Sequence, residues 1–102
     1  MVKNAIIKSA QIQENHGCLT VWLHLDCGKT SQSFGGYALH VPDRNKSFMG
    51  HAIWSTMKMC GVRDWVDVPG KAIRVRTDNS GDIIAIGHII REEWFDPSVD
   101  FS

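Results

Sequence analysis

Leu19-Thr20-Val21-Trp22-Leu23-His24-Leu25-Asp26, then Cys27-Gly28-Lys29-Thr30-Ser31-Gln32-Ser33, then Phe34-Gly35-Gly36-Tyr37-Ala38-Leu39, is the stretch on which the fold turns. Leu19, Val21, Leu23 and Leu25 alternate with Thr20, Trp22, His24 and Asp26. Period two predicts a β-strand with one face buried and the other open or half-open. The open face carries an indole, an imidazole and a carboxylate. Gly35-Gly36, between two aromatics, lets the backbone bend or approach another group closely. The pattern predicts a recognition surface rather than a reaction centre.

Upstream, Lys3 to Ile12 reads as a strand, and Glu14-Asn15-His16-Gly17 as a turn in which Gly17 takes positive φ. Cys18 to Asp26 then folds back on the first strand. Downstream, Phe34 to His40 reads as a third strand, ended by Val41-Pro42-Asp43. Asn45-Lys46-Ser47 opens a helix that runs from about Ser47 to Cys60, with Asn45 or Ser47 as N-cap. Its apolar stripe is Met49, Ile53, Thr56 or Met57, and Cys60, and Gly61 ends it. Val62 to Val68 reads as a loop with one helical turn begun by Asp64 and with Trp65 tucked beneath. After a Pro69-Gly70 turn, Lys71 to Thr77 and Asp82 to Ile90 are strands joined by Asp78-Asn79-Ser80-Gly81. Arg91 to Ser102 is a tail holding Trp94-Phe95. The predicted class is α+β: one domain over residues 1–102, with a small antiparallel sheet or partly closed barrel of about five strands and one covering helix.

Composition narrows the function. A chain of 102 residues that is 43% hydrophobic can bury one small core. Its 11 basic and 11 acidic residues balance. That excludes a generic DNA-coating protein, which needs a basic footprint, and equally an acidic DNA mimic. Three cysteines without close pairing, Cys18, Cys27 and Cys60, fit a reduced compartment. No apolar run approaches the ~20 residues that span a bilayer. Met1-Val2-Lys3-Asn4-Ala5-Ile6-Ile7 lacks the apolar segment of a signal peptide. The expectation is a cytoplasmic protein with no membrane contact.

The chemistry-bearing residues point the same way. His16, His24, His40, His51 and His88 show no metal-ligand spacing, so neither metal nor cofactor is expected. Cys27 or Cys18 with His24 or His88 would be the one conceivable nucleophile–base pair, but Cys18 and Cys60 read as small hydrophobes. No nucleophile elbow, phosphate loop or paired-acid motif occurs, which predicts a protein that is not an enzyme. Arg74 and Arg76 share one strand face while Ile73 and Val75 face the core. As a solvated face they do nothing specific. As a pair they match the spacing of a phosphate or carboxylate. His88 falls on the partner strand, on a face with Ile84, Ile86 and Ile90. Trp22 and Trp94 are either stacking platforms or core filler. Trp54 lies off the helix stripe and reads as an interface residue. Four tryptophans, four phenylalanines and four methionines exceed what so small a core hides, which predicts a homo-oligomer.

Trp22-Leu23-His24-Leu25-Asp26, Gln32, Phe34-Gly35-Gly36-Tyr37-Ala38-Leu39, Gly70-Lys71, Ile73-Arg74-Val75-Arg76, Ala85-Ile86-Gly87-His88-Ile89-Ile90 and Trp94-Phe95, in that order, resemble a family of small proteins encoded by phages and prophages. The chain departs from that pattern at Cys27-Gly28-Lys29 and at Ser33. The resemblance carries no activity with it. It implies a phage product acting in the bacterial cytoplasm, where small non-enzymatic proteins often inhibit host defence.

Three readings follow, drawing on Trp22, His24, Phe34, Tyr37, Trp54, Arg74, Arg76, His88 and Trp94. The first is an inhibitor, such as an anti-CRISPR, that binds a host defence protein or ribonucleoprotein through Trp54 with Phe48, or through Trp94-Phe95. The second is a binder that sequesters a nucleotide signal in a pocket of Tyr37, Arg74, Arg76 and His88. The third is an OB-like binder of single-stranded nucleic acid that stacks bases on Trp22.

Overall fold

Fourteen residues, Val2–Asn15, form one strand, β1, which runs three residues beyond the predicted end. The computed structural model describes residues 1–37, 40–41 and 46–101, with residues 40, 41, 46 and 47 described by backbone alone. Strand β2, Cys18–Asp26, folds back along β1 through a two-residue turn. His16 (φ 51°) and Gly17 (φ 82°) both take positive φ, the type I′ geometry that matches strand twist. Strand β3 is Ser31–Gly35, antiparallel to β2. It starts three residues earlier than expected and stops at Gly35. A separate two-residue strand, β4 (His40–Val41), pairs with β2 and with β5 (Lys46–Ser47). The expected strand end at Pro42-Asp43 and an Asn45 cap lie outside the described residues.

Helix α1 is Met49–Cys60. Phe48, rather than Ser47, occupies its N-cap position, without a capping side chain. Its buried stripe is Met49, Ala52, Ser55, Thr56 and Met59. Ile53, Met57 and Cys60 are only half-buried on its flank, so the helix is rotated by about one residue from the expected orientation. Its end matches expectation. Gly61 (φ 69°) donates to Lys58 O at 3.2 Å, and Val62 N donates to Met57 O at 3.1 Å, the Schellman pattern. A single 3-10 turn, Trp65–Asp67, follows, capped by Asp64 as predicted. Trp65 packs against the core.

Strands β6 (Ala72–Thr77) and β7 (Ile83–Gly87) form the second hairpin. Between them Ile84 is bulged, because Arg76 pairs with Ala85 but Thr77 pairs with Ile83. The core side therefore takes Ile83 and Ile86, and Ile84 does not share the face of Ile86. Strand β7 ends at Gly87; His88 keeps one backbone bond to the segment before β8, its N donating to Glu93 O at 3.0 Å, and Ile90 leaves the sheet. The segment read as a tail holds strand β8 (Trp94–Phe95), paired with β7, and a short helix, α2 (Pro97–Asp100).

The main strand path is β5-β4-β2-β1-β6-β7-β8, with β3 on the β4 side of β2. This is an open, curled antiparallel sheet covered by one main helix. The curl brings β3 beside β7, where Gln32 Nε2 donates to Gly81 O at 3.1 Å, but no strand ladder joins them. Ile7, Leu23, Leu25, Ile73, Val75 and Ile86 fill the concave side under α1. The chain end closes that side. Phe101 stacks on Phe48 with centroids 4.5 Å apart, and His51 Nε2 meets Asp100 Oδ2 at 2.8 Å. Among the described residues no helix is long and apolar enough to cross a membrane.

Burial on the helix flank pushes the Cys60 thiol up to about 11, and the nearby Lys71 charge offsets this only in part. A rise of about two pH units leaves about a hundredfold less thiolate near neutral pH. Iodoacetamide at mildly alkaline pH, read by peptide mapping, is therefore expected to label Cys18 and Cys27 well before Cys60. Equal labelling of all three in the folded protein would contradict that environment.

Candidate binding surfaces

The convex face of the sheet gathers several of the residues singled out by sequence. Trp22 pairs with Gly35 across β2 and β3, and its ring lies over Gly36. A Cβ built on Gly36 would stand 2.2 Å from that ring. Trp94 repeats the device on the same face, towards the other edge of the sheet. It pairs with Gly87, where a Cβ would stand 2.7 Å from the indole. In both places a glycine leaves the backbone bare and a tryptophan covers it. The two glycine positions thus serve packing between strands.

Arg74 and Arg76 do share this face. Both guanidiniums lie against Trp94, at 4.9 and 4.2 Å from a ring centroid. Their duties differ. Arg74 Nε donates to His88 O at 2.7 Å, Nη2 donates to Arg91 O at 2.6 Å, and Nη1 stands 3.7 Å from Glu92 Oε2. Its fork is used inside the protein, clasping the loop that follows β7. The Arg76 guanidinium has no hydrogen-bond partner among the described residues. Glu92 accepts from the Trp94 indole at 2.5 Å; that bond, with the Arg74 charge, holds its carboxyl below the usual range. His88 belongs to the same loop. Its Nδ1 accepts from Ile90 N and Arg91 N, both at 3.0 Å, so one imidazole edge is committed to a turn.

Tyr37 stands apart from these groups. It sits edge-on to Phe34 and lines a small gap with Ala52, Thr56 and Phe95 on the concave side. Burial and the nearby Asp96 charge raise its phenol pKa. The chain therefore does not bring Tyr37 together with Arg74, Arg76 and His88. Phe34 is a core residue, 4% exposed. His24 lies in a polar ladder over three strands, with Nδ1 3.1 Å from Ser33 Oγ and Nε2 3.4 Å from Gln11 Oε1. Neither His24 nor His88 bonds to a cysteine among the described residues.

Trp54 is different. It is 68% exposed at the mouth of an open groove of about 400 Å³. Helical spacing sets Met57, Lys58 and Gly61 on its face of α1. The Schellman turn then folds Val62 back toward Met57, which makes an apolar floor. Lys58, Arg63 and Arg91 line the rim, and no carboxylate does. None of these three cations has an ion-pair partner among the described residues. Arg91 is placed there because Arg74 holds its carbonyl. Sequence reading found Trp54 but missed the groove. The i, i+3, i+4, i+7 spacing from Trp54 to Gly61 was the available signal, whereas nothing local linked Arg91 to it.

In comparisons with known proteins, no family model, no curated protein and no solved structure matches this chain.

Proposed function

We propose that this protein is a non-enzymatic binding module that docks a partner protein in the Trp54 groove. The carrying observation is an indole 68% exposed beside an apolar floor, with three cations on its rim that have no ion-pair partner among the described residues. Such a site favours an acidic partner segment that bears an apolar or aromatic side chain: the side chain desolvates against Trp54 and the carboxylates meet the rim. The resemblance to phage-encoded proteins supports a partner in a bacterial host, namely a defence protein or ribonucleoprotein that is inhibited when occupied. A nucleotide-sequestering site at Tyr37, Arg74, Arg76 and His88 has less support, because Arg74 is already used and Tyr37 lies on the opposite side of the sheet. The stacking of single-stranded bases on Trp22 also has less support, because that ring covers Gly36.

The test is affinity capture from bacterial extract with wild type, Trp54→Ala and Arg63→Glu, followed by titration of the captured protein. A central aromatic of this kind contributes about 2 kcal/mol or more. Trp54→Ala is therefore expected to weaken binding about thirtyfold with unchanged melting temperature, and Arg63→Glu to weaken it most at low salt. Undiminished binding by both variants would remove the groove from the function. Phage plating on a host with and without a CRISPR system tests the inhibitory role: protection that the wild type lifts and Trp54→Ala does not is the expected result.

A further inference from the structure

Among the described residues, half of β1 has a strand on one side only. Strand β6 pairs with Val2 to Ile6, and the backbone bonds Gly70 N to Ile7 O and Ile7 N to Lys71 O close that edge. A bulge at Lys8 then shifts the register, and Ser9 to Asn15 continue with β2 alone. The direction of each backbone group follows from the two-residue turn. Asn15 and Cys18 flank it and bond to each other, so Gln13 and Gln11 also face β2, and Ala10, Ile12 and Glu14 face outward. Two observations agree with this alternation. Gln13 O accepts from Thr20 Oγ1 on the β2 side, and Val21, opposite Ile12, turns its carbonyl to the far edge, where Gly36 N donates to it at 2.9 Å. Among the described residues, the N–H and C=O of Ala10, Ile12 and Glu14 have no partner.

Exposed edges are usually blunted by lysine, proline or brevity. Ser9-Ala10-Gln11-Ile12-Gln13-Glu14-Asn15 has no lysine, arginine or proline. Strands β4, β5 and β8, by contrast, are two residues each. At its centre, Gln11-Ile12-Gln13, the segment reads the same in both directions about Ile12. We propose that it is the interface of a twofold homodimer, in which β1 of one copy pairs antiparallel with β1 of a second, centred on Ile12. In that register Ile12 meets Ile12 of the second copy, and Ala10 meets Glu14 in each direction. Every outward group is then used, in about six backbone hydrogen bonds. Gln11 and Gln13 face each other across the seam as amide pairs. Ile12, 43% exposed in the single chain, is covered on the axis. Centring on Glu14 instead would oppose two carboxylates, which is unfavourable. This seam is distinct from the Trp54 groove, so either can stand without the other.

Sedimentation of the full chain is expected to give twice 11.4 kDa, falling to 11.4 kDa in Ile12→Pro. Proline there removes an N–H that bonds nothing among the described residues, so the monomer keeps its ladder. Circular dichroism of that variant checks that it remains folded. Ile12→Cys provides a measurement that does not depend on proline. A hydrogen-bonded antiparallel pair holds its Cα atoms about 5.5 Å apart, within disulfide reach. Mild oxidation of Ile12→Cys is expected to join two copies through the introduced thiols, seen by mass spectrometry as a disulfide between two identical β1 peptides. Ile6→Cys, on the paired half of β1, is expected to give no such peptide. A wild-type mass of 11.4 kDa at concentrations up to about 1 mM, where even weak specific association shows, would overturn the proposal, as would a dimer that Ile12→Pro leaves intact.

Discussion

Gly35→Ala is expected to lower the melting temperature by about 10–20 °C. Gly35 holds φ 122°, a region that side-chain-bearing residues rarely enter. That conformation alone costs about 1–3 kcal/mol for alanine. The new Cβ would also stand 2.0 Å from Val21 O, a backbone atom that is held in place because Gly36 N donates to it. Neither group can swing aside as a flexible side chain would. Together the two effects amount to about 3 kcal/mol or more, out of a total stability of about 5–15 kcal/mol for a domain of this size. Gly50→Ala is the control of opposite sign. Gly50 lies in the first turn of α1 with open space around its Cα, so alanine there is expected to stabilise by up to about 1 kcal/mol. Thermal unfolding of the two variants beside wild type decides the matter. A Gly35→Ala protein that melts within a degree or two of wild type would mean that the Phe34-Gly35-Gly36 bend is not held as described.

The second large effect is expected at Arg74. Alanine there removes two short hydrogen bonds to His88 O and Arg91 O, the approach to Glu92 and one guanidinium from Trp94. Hydrogen bonds from a charged donor contribute about 1.5–3 kcal/mol each when shielded. The loop is partly open to water, so about 2 kcal/mol in total is the reasonable figure. Arg74→Lys should recover little, because an ammonium cannot serve two carbonyls in the fixed geometry of the guanidinium fork. Arg76→Ala should cost about 1 kcal/mol or less, since Arg76 contributes a ring contact without hydrogen bonds. Denaturant unfolding measures the ranking. Hydrogen exchange locates it: His88 N, which donates to Glu93 O at 3.0 Å, should exchange faster in Arg74→Ala and not in Arg76→Ala. Equal tolerance of both substitutions would show the two arginines to be an ordinary solvated pair.

The expectation that these arginines act as an anion grip illustrates where sequence reading stops. Their shared face is a property of strand periodicity, and it holds. Whether a guanidinium is free depends on which carbonyls come within hydrogen-bond reach, and those belong to residues 88 and 91. The same division runs through the fold. The turn at His16-Gly17, the hairpin at Asp78 to Gly81, the Asp64 cap and the helix stop at Gly61 were legible because each rests on φ preferences or hydrogen bonds within a few residues. The rotation of α1, which buries Ala52 and Met59 in preference to Ile53 and Cys60, was not. It is set by how α1 docks on β2, β6, β7 and β8, whose contacts come from distant parts of the chain. The end of β7 at Gly87 escaped notice because apolar residues continue through Ile90. Only the loop around Arg74 shows that Ile89 and Ile90 have left the sheet.

By itself, then, the sequence determined the two hairpins, the alternating faces of β2 and β6, the turn positions, the single long helix and the prominence of Trp54, all of which follow from short-range sterics and periodicity. Only the tertiary structure decided that Trp22 and Trp94 are spent covering bare glycines, that Arg74 is a clasp, that Arg91 joins Trp54 at a groove, and that β1 outruns its neighbour to leave an edge. Each of these depends on how far apart in the chain two touching residues lie, and close packing over such distances is a property of the whole core, to which no local pattern gives access.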